Sequence, residues 1–438
     1  METLLLVTYK ASLTAKVFYY INLAFIIFFF IMYLNQHLHT LVTLFTKKKT
    51  FKEAKTNHTF AFLIAARNEE GVIGNLIDSI KQMDYPQDKI KIFVCCDNCT
   101  DSTKELALKH GAVAFERNDQ VHVGKSYALD YSFKKILAQE ENQDIEAFLI
   151  MDSDNLVSKN YLKEMNKTFD SGIEVSTSFR QSKNYDSSWI SACSSLTFYR
   201  ECVIVHHSRQ QLGLGTYVSG TGFFVSRRII EELGSWNFNT LTEDIEFSIW
   251  CATHDILISY NENAIFYDEQ PETLEIANKQ RLRWCKGTLQ CCYKYEWPLI
   301  KGMFKGHKKL TCFGLLIHVT PLPMATLTWL VTYSFLNFVF FMVGLENGDY
   351  LVHELYTNIL GFIGFIILVS IIHATVSIIR NRQYMKEYSL GSKIKGILLF
   401  PLFISMYLNL GFKALFMKVV KWEKIPHTNH TKIEKLEN

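Results

Sequence analysis

The stretch AFLIMDSDN, residues Ala147 to Asn155, carries the reading on which the fold turns. Five apolar residues make one buried strand, and DSDN stops it with polar turn formers. The same figure stands twice upstream. FAFLIAA (Phe60 to Ala66) runs into Arg67, Asn68, Glu69 and Glu70, and KIFVCC (Lys91 to Cys96) runs into Asp97, Asn98, Cys99, Thr100 and Asp101. Helical periods lie between these strands: Val72, Leu76, Ile77 and Ile80 recur at three and four, as do Leu106 and Ala107 with the residues after Thr100. Strand alternating with helix predicts a parallel sheet covered on both faces. In such sheets ligands bind beyond the carboxyl ends of the strands, which is where these three polar clusters fall.

Outside this region the chain changes character. Of its 438 residues 48% are hydrophobic and 14% aromatic, which excludes a disordered chain and a small disulfide scaffold. The mean hydropathy of +0.05 points to lipid contact. Ala15 to Leu34 is apolar apart from Lys16 and matches the roughly 20 residues that cross a bilayer. Lys47, Lys48, Lys49, Lys52 and Lys55 follow it, against Lys10 and Lys16 before it, so the positive-inside rule puts the strand-rich region in the cytosol. A second apolar block fills Leu310 to Val343, Leu351 to Ile379 and Ile394 to Met417. Pro321 and Pro323 divide its first part, leaving Leu310 to Thr320 to lie along the cytosolic surface and Pro321 to Val343 to cross. Glu346 and Asp349 then face outward, and Arg380, Arg382 and Lys386 inward. A last crossing sends Lys418, Lys421 and Lys424 outward against the charge rule. Either the first part is a hairpin of two spans or the last segment does not fully cross.

The net charge of +3 gives no support to a nucleic-acid partner. The ten cysteines lack the second pair that the single C-x-x-C (Cys96, Cys99) needs for structural zinc, and they read as reduced thiols. Asp152 and Asp154, one residue apart at a strand end, suit a hard divalent cation that also holds phosphate oxygens, although DSDN alone is a common turn. Asn98 to Asp101 equally reads as a helix cap. Ser219 to Phe224 (SGTGFF) is a glycine-spaced turn into a strand. Glu243, Asp244 and Glu246 open a helix whose dipole they also complement. Gln280 to Trp284 (QRLRW) precedes the apolar block and reads by itself as a basic helix on lipid. His206 and His207 fit neither a metal pair nor a catalytic triad and are assigned to structure.

In order, AARNEE, DNCTD, GKSYALD (Gly124 to Asp130), DSDN, SGTGFF, TEDIEF and QRLRW resemble the processive family 2 membrane glycosyltransferases, among them the cellulose, hyaluronan and poly-N-acetylglucosamine synthases. The resemblance covers roughly Phe60 to Cys292. It implies an α/β, GT-A-type (Rossmann-like) domain on the cytosolic face of the cell membrane, set between one N-terminal and several C-terminal transmembrane helices. The corresponding divisions are 1–50, 51–305, 306–425 and a polar tail at 426–438. It implies transfer from a nucleotide-diphosphate sugar, UDP-GlcNAc or UDP-glucose, to a growing β-linked polysaccharide. Export through the protein's own helices and a small accessory membrane subunit belong to the same picture. By that likeness Ala65, Arg67, Glu69 and Asp97 bind the nucleotide, and Asp152 with Asp154 holds Mg²⁺ or Mn²⁺ and the diphosphate. Asp244 is the general base. Gly220, Thr221, Gly222, Glu243, Gln280, Arg283 and Trp284 meet diphosphate and acceptor. Lys125 reaches the diphosphate or caps its helix. Two positions depart from the pattern: Cys96 replaces the first of two paired acids, and Ala65 replaces a proline.

The residue types fit that chemistry independently. A departing nucleoside diphosphate develops negative charge, which a divalent ion and Arg283 would stabilise. One carboxylate suffices to take the proton of an attacking hydroxyl, and without a second carboxylate nucleophile the anomeric centre inverts. Trp284 offers a face for a pyranose, as an interfacial belt tryptophan also does. Two rivals stand beside this reading. One is a non-processive enzyme glycosylating a membrane lipid. The other is a transporter with a nucleotide-binding domain, disfavoured because the apolar block holds few ionisable groups beyond His318, His353 and His373.

Overall fold

The computed structural model describes residues 13–344, 348–418 and 431–436. A 33-residue helix, α1 (Leu13–Phe45), comes first. Strands and helices then alternate through β1 (Phe60–Ala66), α2 (Ile73–Lys81), β2 (Ile90–Asp97), α3 (Thr103–Lys109), β3 (Val113–Arg117), α4 (Lys125–Leu137) and β4 (Ala147–Asp152). Next come β5 (Leu156–Val157), α5 (Tyr161–Asp170), β6 (Val175–Ser182) and α6 (Trp189–Arg200). A π-helical turn (Glu201–His206) joins α6 to α7 (His207–Gln211), followed by β7 (Phe223–Ser226), α8 (Arg227–Leu233), α9 (Glu243–Thr253) and β8 (Ile258–Asp268). Five helices finish the chain: α10 (Leu274–Lys305), α11 (Lys309–Val319), α12 (Leu322–Met342), α13 (Gly348–Arg380) and α14 (Leu390–Phe416).

The eight strands form one sheet in the order β3-β2-β1-β4-β7-β6-β8-β5. Alternation along β1 explains its two-sided burial. Phe60, Phe62 and Ile64 join the core under α2 and α5, while Ala61 and Leu63 join the core under α4 and α8. The expected parallel sheet is corrected on two points: β1 to β4 are parallel, but β7 runs antiparallel to both β4 and β6, and β5 runs antiparallel to β8. Four residues, FFVS, are too short to announce a direction, and pairing with distant strands sets it. In the parallel half, Ala65 is level with Cys95 on one side and Asp152 on the other, so the polar tails of β1, β2 and β4 emerge together.

Among the described residues four helices are long and apolar enough to cross a membrane: α1, α12, the part of α13 from Tyr356 to Arg380, and α14. Three form an antiparallel bundle. Phe18 of α1 stacks on Tyr333, Asn22 accepts from Trp329 Nε1 at 3.0 Å and Tyr33 meets Thr326 at 3.1 Å. On α13, Phe365 packs on Tyr33 and His37, and His373 meets Thr40 at 3.1 Å. Helix α1 outruns the expected Leu34 because polar side chains of its last turns dock on the sheet domain. Thr43 donates to Val203 O at 3.0 Å, and Thr46 meets His207 at 2.9 Å. His206 and His207 thus have structural partners, including Glu201 at 3.2 Å and Glu262 at 2.8 Å.

The fourth long helix behaves differently. Near its start, Gly396 O of α14 accepts from Cys193 Sγ of α6. At its end, Ala414 O and Met417 O accept from Lys286 Nζ of α10 at 3.1 and 2.6 Å. Both ends therefore lie against the sheet domain. The tail confirms the geometry, because Ile433 is buried against Leu156 and Tyr267, and Glu434 accepts from Gln82 at 2.9 Å. Leu390, Ile394, Leu398 and Leu402 form an exposed stripe at intervals of four, as on a helix that lies in the interface. By length and composition α14 is one of the four candidate spans, and its contacts with the sheet domain at both ends agree with the second of the two sequence alternatives, a last segment that does not fully cross. Lys421 and Lys424 lie outside the described residues, as do Lys10 and Glu346 and the side chains of Asp349 and His353. The short helix expected on the lipid surface, α11, also packs on protein. It buries Cys312, Leu315 and Val319 against Ile245 and Ile249 of α9 and Leu299 of α10, and it is too short to be one of the four candidate spans.

Candidate active site

A cavity of about 680 Å³ opens beyond the carboxyl ends of β1, β2 and β4 and continues between the membrane helices. Its wall includes Ala65, Arg67, Glu69, Asp97, Lys125, Asp152, Asp154, Gly220, Glu243, Asp244, Gln280, Arg283 and Trp284. All the sequence-predicted site residues are there except Thr221 and Gly222, which the structure places behind the wall. Thr221 Oγ1 accepts from Asp152 N at 2.9 Å and donates to Asn155 Oδ1 at 2.5 Å, so it fixes the turn that bears both aspartates. Gly222 has φ +69°, and a Cβ there would lie 2.2 Å from Phe266.

Two asparagines shape the β1 and β2 ends. Asn68 and Asn98 have φ values of 57° and 53°, a conformation asparagine tolerates better than most residues. Asn68 Oδ1 accepts from Thr100 N at 2.7 Å, and Asn98 Oδ1 accepts from Asp119 N at 2.9 Å. Asp97 is buried and meets Arg117 Nη1 at 2.6 Å. Burial raises its carboxyl above the usual range, with Arg117 and then Arg67 opposing. The capping reading of the next residues also has a place, since Asp101 Oδ1 accepts from Thr103 N at 3.1 Å.

At the centre Lys125 pairs with Asp152 and donates to Gly220 O at 2.7 Å. Its position at the start of α4 therefore serves the site, with the ammonium already on the carboxylate expected to hold a cation. Asp154 is linked through Asn155 Nδ2 to Asp268, 3.4 Å from Asp154 Oδ1 and 2.9 Å from Asp268 Oδ1. Burial, with the charges of Asp154 and Asp152, pushes the Asp268 carboxyl up to about 7 against Arg180 and Lys183. Asp152, Asp154 and Asp268 are the carboxylates here that could contribute oxygen ligands to a divalent cation. Among the described residues no group of three His, Cys, Asp or Glu side chains is placed to hold an ion by itself.

The TEDIE run splits by role. Glu246 is fully buried and ties α9 to α10, accepting from Tyr295 OH at 2.6 Å, Lys294 Nζ at 2.6 Å and Thr240 N at 2.8 Å. Glu243 and Asp244 face the cavity. Burial first, and then the charge of Glu243, lifts the Asp244 carboxyl to about 7. Asp244 lies beside the Gly220 turn, where a Cβ on Gly220 would come within 3.7 Å of Oδ2.

Within QRLRW the helix sorts its residues by face. Gln280, Arg283 and Trp284 line the cavity, and Trp284 meets Phe198 edge-on with centroids 5.9 Å apart. Arg281 points away and is buried, donating to Ser194 Oγ at 3.0 Å with its guanidinium 4.0 Å from the Phe403 ring centroid. Sequence reasoning missed Arg180, Glu201 and Asp268. Asp268 ends β8 as the other acids end their strands, so NAIFYDE carried a signal. Arg180 and Glu201 carried none, because pairing of β6 and the π-turn bring them in. Burial works to raise Glu201, but the His206 hydrogen bond and charge, followed by Arg180, hold it down at about 2.

A mixed sheet, carboxylates at its edge and a helix-lined cavity define a GT-A-like transferase. Residues 57–287 match Glycosyltransferase like family 2, and the chain belongs to that family. It is 23% identical over 365 residues to poly-beta-1,6-N-acetyl-D-glucosamine synthase of Staphylococcus epidermidis, covering 79% of this chain and 82% of that one. It is 28% identical over 278 residues to beta-monoglucosyldiacylglycerol synthase of Synechocystis, covering 60% of this chain and 54% of that one. The mannosyltransferase PcManGT from Pyrobaculum calidifontis, solved with GDP-Man and Mn²⁺, shares the fold. Its TM-score is 0.55 at 14% identity, with 91% of this chain and 98% of that one covered.

Proposed function

We propose that this glycosyltransferase moves a hexose from a nucleotide-diphosphate sugar, UDP-GlcNAc or UDP-glucose, to a growing β-linked polysaccharide with inversion, assisted by Mg²⁺ or Mn²⁺. One observation carries the reading: Asp97, Asp152, Asp154, Asp244, Arg283 and Trp284 line one cavity. Asp97 and the turn at Ala65, Arg67 and Glu69 hold the base. Asp152 and Asp154, with Asp268 beside them, would hold the cation, which when bound neutralises the departing diphosphate. Lys125 leaves Asp152 for the phosphates, and Arg283 supplies the fixed positive charge. Asp244 takes the proton of the attacking hydroxyl, and its raised pKa makes it a base matched to neutral pH. Trp284 and Gln280 position the acceptor sugar. Synthase relatives matched over most of both chains support the polymer.

A second reading, with a membrane lipid as acceptor, draws on two features. With α14 resting on the sheet domain, three helices are left to cross, and a polymer pore would then need further helices from another copy or an accessory subunit. The membrane half of the cavity is mostly apolar, with Phe362, Phe365, Ile366 and Val369 on α13 and Ile404 and Leu408 on α14. Incubating the membranes with labelled nucleotide sugars and divalent ions separates the two. A size ladder or insoluble product supports the polymer, and a single glycolipid overturns it.

A further inference from the structure

The single C-x-x-C of the chain straddles Asp97 at the end of β2, and neither of its thiols, Cys96 and Cys99, has a part in transfer. Neighbouring cysteines divide between the faces of the sheet. Cys95 bonds Ser132 on α4, whereas Cys96 points into the core under α2 and α5. Asn98 turns the chain in the left-handed region, with φ 53°, and Cys99 packs against that same core, where its thiol hydrogen-bonds the thiol of Cys96. Cys96 is buried and Cys99 is partly exposed. Cys99 also clasps the turn after β1, because its Sγ accepts from Asn68 N and donates to Ala66 O, both at 3.4 Å. The Cys96 thiol first, and then the Asn68 N–H, hold the Cys99 thiol below its usual range against burial, while the same contact and burial push Cys96 up. A readily ionised thiol open to solvent beside a second, protonated one is the arrangement that peroxides oxidise stepwise.

We propose that Cys96 and Cys99 are an oxidation site for a peroxide, closing to a disulfide that loosens the nucleotide turn. The Cys99 thiolate attacks one peroxide oxygen, the O–O bond breaks and hydroxide leaves, so that Cys99 becomes a sulfenic acid. Cys96 sulfur then attacks Cys99 sulfur. The S–S bond forms, the S–O bond breaks, and the Cys96 proton departs with the hydroxyl as water. The two electrons given up by the thiols end on the peroxide oxygens. Closure removes the S–H that Cys99 points at Ala66 O and draws its sulfur from Asn68 N. These residues flank Arg67, so the turn that holds the base loses its clasp. The effect on donor binding rests on the reading of this turn as the nucleotide site, whereas the disulfide itself does not.

The purified full chain, reduced and then exposed to hydrogen peroxide, tests the site through its tryptic peptide 92–104, read by mass spectrometry after the remaining thiols are blocked. Wild type and Cys95→Ser are expected to lose two hydrogens in this peptide and to regain them in dithiothreitol. Cys96→Ser should stop at a sulfenic acid on Cys99 that dimedone traps. A wild-type peptide that forms no disulfide, or a Cys96→Ser peptide that still closes, overturns the site. Titration with UDP-GlcNAc and UDP-glucose in Mn²⁺ reads the consequence. Oxidised wild type should bind roughly tenfold or more weakly than reduced and recover in dithiothreitol, and Cys99→Ser should bind equally before and after peroxide. Equal affinity of oxidised and reduced wild type overturns the coupling, and so does an equal loss in Cys99→Ser. If reduced wild type binds neither sugar, the transfer reading fails instead, and the peptide still decides the disulfide.

Discussion

At the scale of single residues, Asp244 and the Asp152–Asp154 pair carry separable tasks. Asp244→Asn should lower transfer by roughly 10³-fold while nucleotide-sugar binding survives, read by isothermal titration beside product formation. Because burial raises this carboxyl from its ordinary 3.8 to about 7, the reactive ionised form is scarce in acid. The rate kcat/KM should climb about tenfold per pH unit below 7 and level above it, and a profile flat from pH 5 to 8 would remove Asp244 from the role. Asp152→Ala and Asp154→Ala should each weaken divalent-ion-dependent donor binding by about tenfold or more, with little effect on binding measured without the ion. These residues were legible because each ends a strand or opens a helix in a recognisable run. Arg180 was not, since a single arginine in a polar strand has no local mark.

Secondary-structure elements define the next scale. Strands β1, β2 and β4 were legible as apolar runs with polar stops, and the proline-marked start of α12 was legible too. The direction of β7 and the docking of α11 were not, because both depend on partners far along the chain. Gly222 shows how tightly the β7 entry is fitted. Gly222→Ala forces a side chain into a left-handed conformation and onto Phe266, and should cost roughly 2 kcal/mol or more in denaturant unfolding. Glu246→Ala should cost on the order of 2 kcal/mol as well, by leaving Thr240 N–H and Tyr295 OH without their acceptor. Because α9 carries Asp244, kcat should fall with it, and an unaltered kcat would show that α9 holds its place without α10.

For the whole molecule, the crossing count is the decisive quantity. The first span was legible from hydropathy, whereas the lie of α14 was not, since length and apolarity do not distinguish a helix that spans from one that rests. Ile433 packs on Leu156 and Tyr267, which puts the tail on the side of the transfer domain and predicts three crossings. A single reporter cysteine at Lys435 in a cysteine-free background should react with a membrane-impermeant reagent only when the transfer domain is also accessible. Labelling from the opposite face would restore the fourth crossing.

The anchoring of α14 at both ends has a final consequence. Held near both ends by α6 and α10, with the chain beyond it secured at Ile433, it ties the cleft rigidly to the apolar helices, so in a bilayer the cleft would stand at a constant height over the acyl chains. Selection among acceptors then becomes partly a matter of stature. A hydroxyl that stands too close to the bilayer, or too far from it, misses the sugar whatever its chemistry.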